Sequence, residues 1–141
     1  MAKVKIDPDN ALRQALRQVA GIRELVAALV KAEEANDDRA REDAEQAIHE
    51  DPLSVEVRDG WYSPGGERGE PEEWNILLCT GGPAVRLIGT LGRYNEANNV
   101  EVEYQDWGTP WTALVPSQYA DGDEEALLRY ANFFLGFWLS T

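Results

Sequence analysis

The side chain best suited to covalent chemistry is the single cysteine, Cys79. Gly81 and Gly82 follow it, and their backbone N–H groups could form an oxyanion hole beside a thiolate nucleophile. The cysteine also lies inside an apolar run, where burial suppresses the reactivity of a thiol. The pattern therefore favours a buried core cysteine over a nucleophile.

The single histidine, His49, could act as a general base only if the fold brought a nucleophile or a carboxylate to it. It stands beside Glu50 in a polar segment, which is typical of an exposed helical residue. A lone histidine in this setting does not define an active site.

Two other motifs fall short of a ligand site. The glycine-rich turn 81–83 lacks the Lys-Ser/Thr pair of a phosphate-binding loop, and strand-forming residues surround it. Glu101, Glu103 and Asp106 could approach a divalent cation, but they lack the oxygen-rich loop that calcium requires. With no complete catalytic motif in the chain, we expect a protein that is not an enzyme and that holds no metal and no cofactor.

The most unusual local cluster is the pair Trp107 and Trp111, which flanks a Gly-Thr-Pro turn. Two tryptophans at this spacing could form the aromatic wall of a ligand pocket, with Arg86 and Asp106 as its polar groups. They could equally be core residues that close the end of a sheet. The sequence leaves both interpretations open.

Carboxylates dominate the charge of the protein. The formal net charge is −13, and residues 51–141 carry 5 Lys+Arg against 15 Asp+Glu. Such a surface repels nucleic acid and anionic membranes and attracts basic protein surfaces, although acidity also serves solubility alone. The candidate partner-binding carboxylates are Glu67, Glu70, Glu72, Glu73, Glu101, Glu103 and Asp106.

Two helices are predicted to come first in the chain. Apolar residues at helical spacing predict an amphipathic helix of about 25 residues, capped by Asp9 or Asn10. Its apolar stripe comprises Leu12, Leu16, Val19, Val26, Leu29 and Val30. A second, weaker helix spans 36–50, with Asn36 or Asp37 as its cap and with an inward face of Ala40, Ala44, Ala47 and Ile48.

A run of strands follows. Residues 54–62 alternate between apolar and polar, residues 63–73 form an acidic loop, and residues 74–80 form an apolar strand with both faces covered. Residues 84–91 return as the next strand, and 100–105 alternate so that one face is core and the other acidic. Residues 111–116 predict a short edge strand, because Pro116 cannot donate to a sheet.

The chain is predicted to end in a helix that covers the sheet. Asp121 or Asp123 caps it, and its apolar face comprises Leu127, Leu128, Ala131, Phe134, Leu135 and Trp138. Helices followed by a run of strands predict an α+β fold with a four- to five-stranded, mainly antiparallel sheet. We divide the chain into an N-terminal helical segment, 1–52, and a sheet domain, 53–141.

Three motifs carry a family resemblance: TGGPAVRLIG at 80–89, QDWGTPWT at 105–112 and EEALLRYANFF at 124–134. They resemble a group of small uncharacterised proteins of bacteriophages and prophages, over about the second half of the chain. The resemblance implies a class of function and no catalytic residues. Small acidic phage proteins often inhibit host defences, as anti-CRISPR and anti-restriction proteins do, and some mimic nucleic acid with carboxylates in place of phosphates.

The leading hypothesis is therefore a phage protein that binds a basic, nucleic-acid-binding component of host defence. The alternative is a small-molecule or nucleotide-binding module at Arg86, Trp107 and Trp111, which could sequester a signalling nucleotide. No apolar run approaches the roughly 20 residues that span a bilayer, and the first ten residues lack the apolar core of a signal peptide, so we expect a cytoplasmic protein. The N-terminal helices could also form a homodimer contact.

Overall fold

The structure is a computed structural model that describes residues 10–139, with side chains described for 10–136. Its helices are α1 (Asn10–Glu34), α2 (Asp38–His49) and α3 (Asp123–Leu139). Its strands are β1 (Ser54–Asp59), β2 (Pro71–Cys79), β3 (Ala84–Thr90), β4 (Glu101–Gln105) and β5 (Thr112–Ala113), and a 3-10 turn (Pro116–Gln118) precedes α3. The strands lie in the order β1-β2-β3-β4-β5, all antiparallel, which confirms the predicted α+β fold.

The buried face of α1 is a stripe of residues three or four positions apart: Ala11, Ala15, Val19, Ile22, Val26, Leu29 and Ala32. In the first turns of α1, the predicted apolar stripe is rotated slightly away from this buried face. Leu16 is 37% exposed, while the small Ala15 faces the core. Small residues there let α1 approach its neighbours closely.

The connection between the first two helices follows the predicted capping chemistry. Asp37 is the N-cap of α2, and its side chain accepts a hydrogen bond of 3.0 Å from the backbone N–H of Ala40. Asn36 adopts φ +51°, a left-handed conformation that asparagine tolerates better than most residues. Ala44 and Ile48 face inward as predicted, whereas Ala47 is exposed. Asp9, one of the two caps predicted for α1, lies outside the described residues.

One face of the sheet is closed by the helices. Alternate residues of β2, β3 and β4 are fully buried there, among them Ile76, Leu87 and Val102. They belong to a single hydrophobic core that also contains Ile22 of α1 and Leu127 of α3. This core therefore joins residues on both sides of position 52.

The structure corrects two predictions about β2. The strand begins at Pro71, so the acidic loop ends earlier than predicted, and Glu73 belongs to the sheet. Only one face of the strand is buried, because Leu77 on the opposite face stays partly exposed. Its cross-strand partner is Arg86, and the long apolar stem of an arginine can shield such a residue without a covering helix.

Gly89 of β3 permits the packing of the largest core side chain. It pairs with Trp74, and a Cβ at this position would lie 2.7 Å from the Trp74 ring and would also collide with the carbonyl oxygen of Asn99. The Trp74 indole N–H donates to the carbonyl of Thr90 at 3.2 Å. A side chain at position 89 would therefore displace this tryptophan from the core.

A buried carboxylate attaches α3 to α1. Asp123 is 2% exposed and lies 2.6 Å from the guanidinium of Arg23, and it also accepts the backbone N–H of Ala120 at 2.7 Å. The sequence predicted a helix cap, whereas this side chain mainly joins two helices. The side chain of Trp138 lies outside the described residues. Over residues 10–139, no helix combines the length and the apolarity needed to cross a membrane.

Candidate functional site: the open face of the sheet

The face of the sheet that points away from the helices carries a groove of about 680 Å³, lined by residues of β1 to β4 and of the segment before β4. We call this surface the open face. Because directly paired residues in an antiparallel sheet point to the same side, the register arranges its side chains in rows that cross the strands. Three such rows lie next to one another.

The middle row runs across all four strands and consists of Glu56, Asn75, Ile88 and Glu101. None of the ion pairs among residues 10–136 involves either of its carboxylates. The side-chain oxygen of Asn75 is buried and accepts no hydrogen bond from a described residue. Such an unsatisfied oxygen costs about 1–3 kcal/mol. The row therefore presents two exposed carboxylates that form no ion pair among residues 10–136, together with a covered amide oxygen that accepts no hydrogen bond there.

The row on one side of it is electrically balanced. Arg58 of β1 pairs with Glu73 of β2 and forms an ion pair with its carboxylate, and Thr90 of β3 completes the row. The backbone N–H of Thr90 donates to the side-chain oxygen of Asn99 at 2.8 Å, which fixes the segment before β4 against the sheet.

The row on the other side is balanced as well. Arg86 of β3 donates twice to Glu103 of β4, from Nε at 2.8 Å and from Nη2 at 2.6 Å. Its guanidinium carbon lies 4.0 Å from the centroid of the Trp111 ring, within the range of a cation–π contact. Arg86 therefore already has a carboxylate and an aromatic ring as partners.

The chemistry of the groove follows from these rows. Two ion pairs flank the middle row, whose two carboxylates are open to solvent, and Ile88 adds an apolar patch in its centre. At about 4.8 Å per strand, the carboxylates of Glu56 and Glu101 sit on backbones roughly 14 Å apart. A group with several N–H donors, such as a guanidinium or an ammonium, complements this surface better than an anion.

Strand β4 carries Glu101 and Glu103 on the open face. A hydrogen bond from its backbone to Tyr119, which lies between the 3-10 turn and α3, holds the strand in place. The hydroxyl of Tyr119 accepts the backbone N–H of Val102 at 3.0 Å. Burial, and after it the charge of Glu101, raises the pKa of Tyr119 above its ordinary value, while the bond from Val102 acts against them. The Tyr119 phenol therefore stays neutral at physiological pH.

The structure brings together half of the predicted site residues. Those that meet on the open face are Glu73, Glu101, Glu103, Arg86 and Trp111. Glu67 and Glu70 lie exposed in the loop between β1 and β2, and the Glu72 carboxylate lies against Gly60. These three stay predicted partner contacts that the groove does not include.

The predicted turn residues stand apart from the groove. Asp106 shapes the turn between β4 and β5: its carboxylate accepts the backbone N–H of Trp107 at 2.8 Å, and its own N–H donates to Thr109 at 2.9 Å. Trp107 is 80% exposed, whereas Trp111 lies against Arg86. The predicted three-residue pocket is thus reduced to the Arg86 and Trp111 pair.

Sequence reasoning missed the middle row apart from Glu101. The signal was the period-two alternation of β1, β2 and β3, which places Glu56, Asn75 and Ile88 away from the core face. The alternation does not tell which residues stand opposite each other. That information comes from the strand register.

The two candidate nucleophilic or basic residues have structural neighbours. The sulfur of Cys79 is 3.8 Å from the Gln14 amide nitrogen and 3.8 Å from the Pro83 carbonyl oxygen, in a half-buried position. His49 ends α2, with its ring centroid 6.4 Å from that of Phe134. Within the described part of the chain, no three histidine, cysteine or acidic residues gather as a metal site would require.

Comparisons with protein-family models, with curated proteins and with solved structures found no match to this chain.

Proposed function

We propose that this protein is a non-enzymatic binding module whose open face accepts a basic side chain, arginine or lysine, from a partner protein. The observation that carries the proposal is the middle row: among residues 10–136, the Asn75 side-chain oxygen has no donor and the exposed Glu101 carboxylate has no ion pair. A guanidinium entering the groove would donate to the Glu101 carboxylate and pack its stem on Ile88, and it would reach the covered Asn75 oxygen once that amide turns toward the groove. Burying such charge-assisted hydrogen bonds contributes about 1.5–3 kcal/mol each.

The wider charge distribution supports a protein partner with a basic surface. Residues 51–141, which contain the whole sheet, carry a net charge of −10 from 5 basic and 15 acidic residues. This field attracts basic surfaces and speeds their association, and it repels nucleic acid. Loop residues Glu67 and Glu70 would contribute to this long-range attraction, which salt screens.

We further propose, from the resemblance to phage proteins, that the partner is a nucleic-acid-binding component of host defence. In this proposal the carboxylates occupy positions that phosphates take in the partner's groove, as in anti-CRISPR or anti-restriction inhibitors. The host cytoplasm is then the place of action.

The test compares variants of the tagged protein in capture from bacterial lysate, followed by mass spectrometry and a salt titration. The binding variant is Asn75→Leu with Glu101→Gln, which removes the amide and one negative charge from the middle row. The matched control is Glu42→Gln with Asp43→Asn, which removes two exposed carboxylates of α2. A basic host protein should be retained by the wild type and the control, released by salt, and lost from the binding variant. Equal retention by all three proteins contradicts the assignment of the groove.

A functional assay tests the defence part separately. Cells that carry a CRISPR or restriction system and express the wild type should be infected more efficiently by a targeted phage than cells that express the binding variant. If both proteins leave the efficiency of infection unchanged for every system tried, the groove's partner lies outside host defence.

A nucleotide-binding module is the second candidate, and the contact of Arg86 with Trp111 is the observation that favours it. A base could stack on the indole while Arg86 binds a phosphate. This function requires Arg86 to leave Glu103, so it should show saturable quenching of tryptophan fluorescence that the Arg86→Ala variant loses. Unchanged fluorescence with nucleotides at millimolar concentration excludes it.

A further inference from the structure

Strand β1 (Ser54–Asp59) forms one edge of the five-stranded sheet, beyond which the described residues add no further strand. An edge strand presents a row of backbone N–H and C=O groups that can pair with another strand. Proteins usually protect such an edge with proline, with a very short strand or with charged side chains. The opposite edge follows this rule, because β5 has two residues, whereas β1 has six.

The edge also carries apolar side chains that the fold leaves in water. Leu53 is 60% exposed, Val57 is 41% exposed and Trp61 is fully exposed at 102%. Val57 pairs with Trp74, so it lies on the side of the sheet that the helices cover further along. These three residues surround the strand at its start, its centre and just beyond its end.

The charges of β1 are self-complementary about Val57. If two copies of the strand run antiparallel with Val57 opposite Val57, then Glu56 of each copy stands opposite Arg58 of the other. If the pairing extends one residue before and two residues after the strand, the same register places Leu53 opposite Trp61 at both ends. Opposite charges and apolar pairs directly across two strands stabilise their association by about 0.2–1 kcal/mol for each pair.

We propose that two copies of this chain pair through β1 and form a continuous ten-stranded sheet. Arg58 has five donors, so it can hold Glu73 within its own chain and Glu56 of the second copy. The pairing also gives the Glu56 carboxylate a cation, which no ion pair among residues 10–136 of one chain supplies. The two-fold axis crosses the sheet, so both open faces lie on the same side, with Asn75 and Glu101 left for a ligand.

This interface is distinct from a dimer through the N-terminal helices. The apolar stripe of α1 is buried against the chain's own sheet and α3, while the apolar residues around β1 are exposed. The β1 pairing does not depend on what the groove binds.

The test is a charge-reversal exchange measured by sedimentation velocity over a range of protein concentrations. The wild type should dimerise. In a dimer of the Glu56→Lys variant, or in a dimer of the Arg58→Glu variant, like charges stand opposite each other at two places. The dissociation constant of either dimer should therefore be at least about tenfold higher than that of the wild type. An equimolar mixture of the two variants restores opposite charges at both positions and should recover the dimer.

The mixture separates the proposal from a folding defect, because any damage from losing the Arg58–Glu73 pair is also present in it. Val57→Asp, which sets two like charges together at the axis, is a second variant that should be monomeric. A wild-type protein that stays monomeric up to millimolar concentration overturns the proposal. So do single variants that dimerise like the wild type, or a mixture that stays monomeric while the wild type dimerises.

Discussion

The two faces of the sheet differ in how their side chains are satisfied. On the closed face, Ile76, Leu87 and Val102 are completely buried and belong to one core with α1 and α3. On the open face, the neighbouring positions carry Asn75, Arg86 and further charged residues, and the Asn75 side-chain oxygen has no hydrogen-bond donor among the described residues. The same strands therefore supply stability on one face and unfilled binding capacity on the other.

Charge follows the same division. The buried charge on the closed side, Asp123, has both a cation and a backbone donor, because an uncompensated charge in a core is very costly. The carboxylates of the open face tolerate solvent, so they need no partner for folding. Residues without a folding role are the ones to test for binding.

The largest expected effect distinguishes two adjacent residues of β2. Ile76→Ala should lower the free energy of unfolding by about 2–5 kcal/mol, because it leaves a cavity at a position with 0% exposure. Leu77→Ala, one residue further on and on the open face, should cost about 1 kcal/mol. Urea unfolding followed by circular dichroism measures both. Equal losses would show that the two faces do not differ in packing.

The second effect compares two ion pairs between α1 and its surroundings. Arg23→Ala removes the cation of the buried Asp123 and should cost about 1.5–3 kcal/mol. Arg129→Ala breaks the pair with Glu33, in which both side chains are more than 40% exposed, and should cost at most about 1 kcal/mol. The same unfolding experiment measures both variants. A larger loss of stability in Arg129→Ala than in Arg23→Ala would contradict the expectation that the more buried ion pair contributes more.

The third effect is a pH dependence on the closed side. Tyr130 is fully buried and donates to Asp51 at 2.7 Å, and burial first, then Asp51, raises the pKa of Tyr130 far above its ordinary value. An unfolded tyrosine releases its proton near pH 10, while the folded one keeps it. The stability from Tyr130 is thus complete below about pH 10 and falls as the pH rises above that value.

The variant Tyr130→Phe should cost about 1 kcal/mol at pH 7 and should lose less stability than the wild type between pH 10 and 11. Thermal unfolding at stepped pH measures the difference. Tyr94→Phe, at an 82% exposed position, is the control. Parallel profiles for the wild type and Tyr130→Phe would exclude this source of alkaline sensitivity.

The smallest effect is expected on the open face. Glu101→Gln should change the free energy of unfolding by no more than about 0.5 kcal/mol, because its exposed carboxylate forms no ion pair among residues 10–136. Asn75→Leu should be neutral or slightly stabilising, since it replaces an oxygen that has no donor. Both are measured by urea unfolding. A loss above 2 kcal/mol for either variant would give the middle row a structural role.

Several features of the fold were accessible from local patterns. The alternation of residues 100–105 predicted that Val102 faces the core and Glu101 faces solvent, as found. The Asp37 cap was predicted from side-chain chemistry that acts within four residues. The role of Asp123 was not, because its partner Arg23 is 100 residues away in the chain. Contacts at such separation leave no periodic signal in a single sequence.

By itself, the sequence determined the element types, the acidity of the sheet region and the apolar face of each helix, because these depend on spacing and composition. Only the tertiary structure decided which open-face residues meet. The register sets Asn75 between Glu56 and Ile88 and sets Arg86 against Glu103. The physical reason is that a strand's side chains alternate whatever its neighbours are, whereas a row across four strands exists only once the loops and the core have fixed how those strands align.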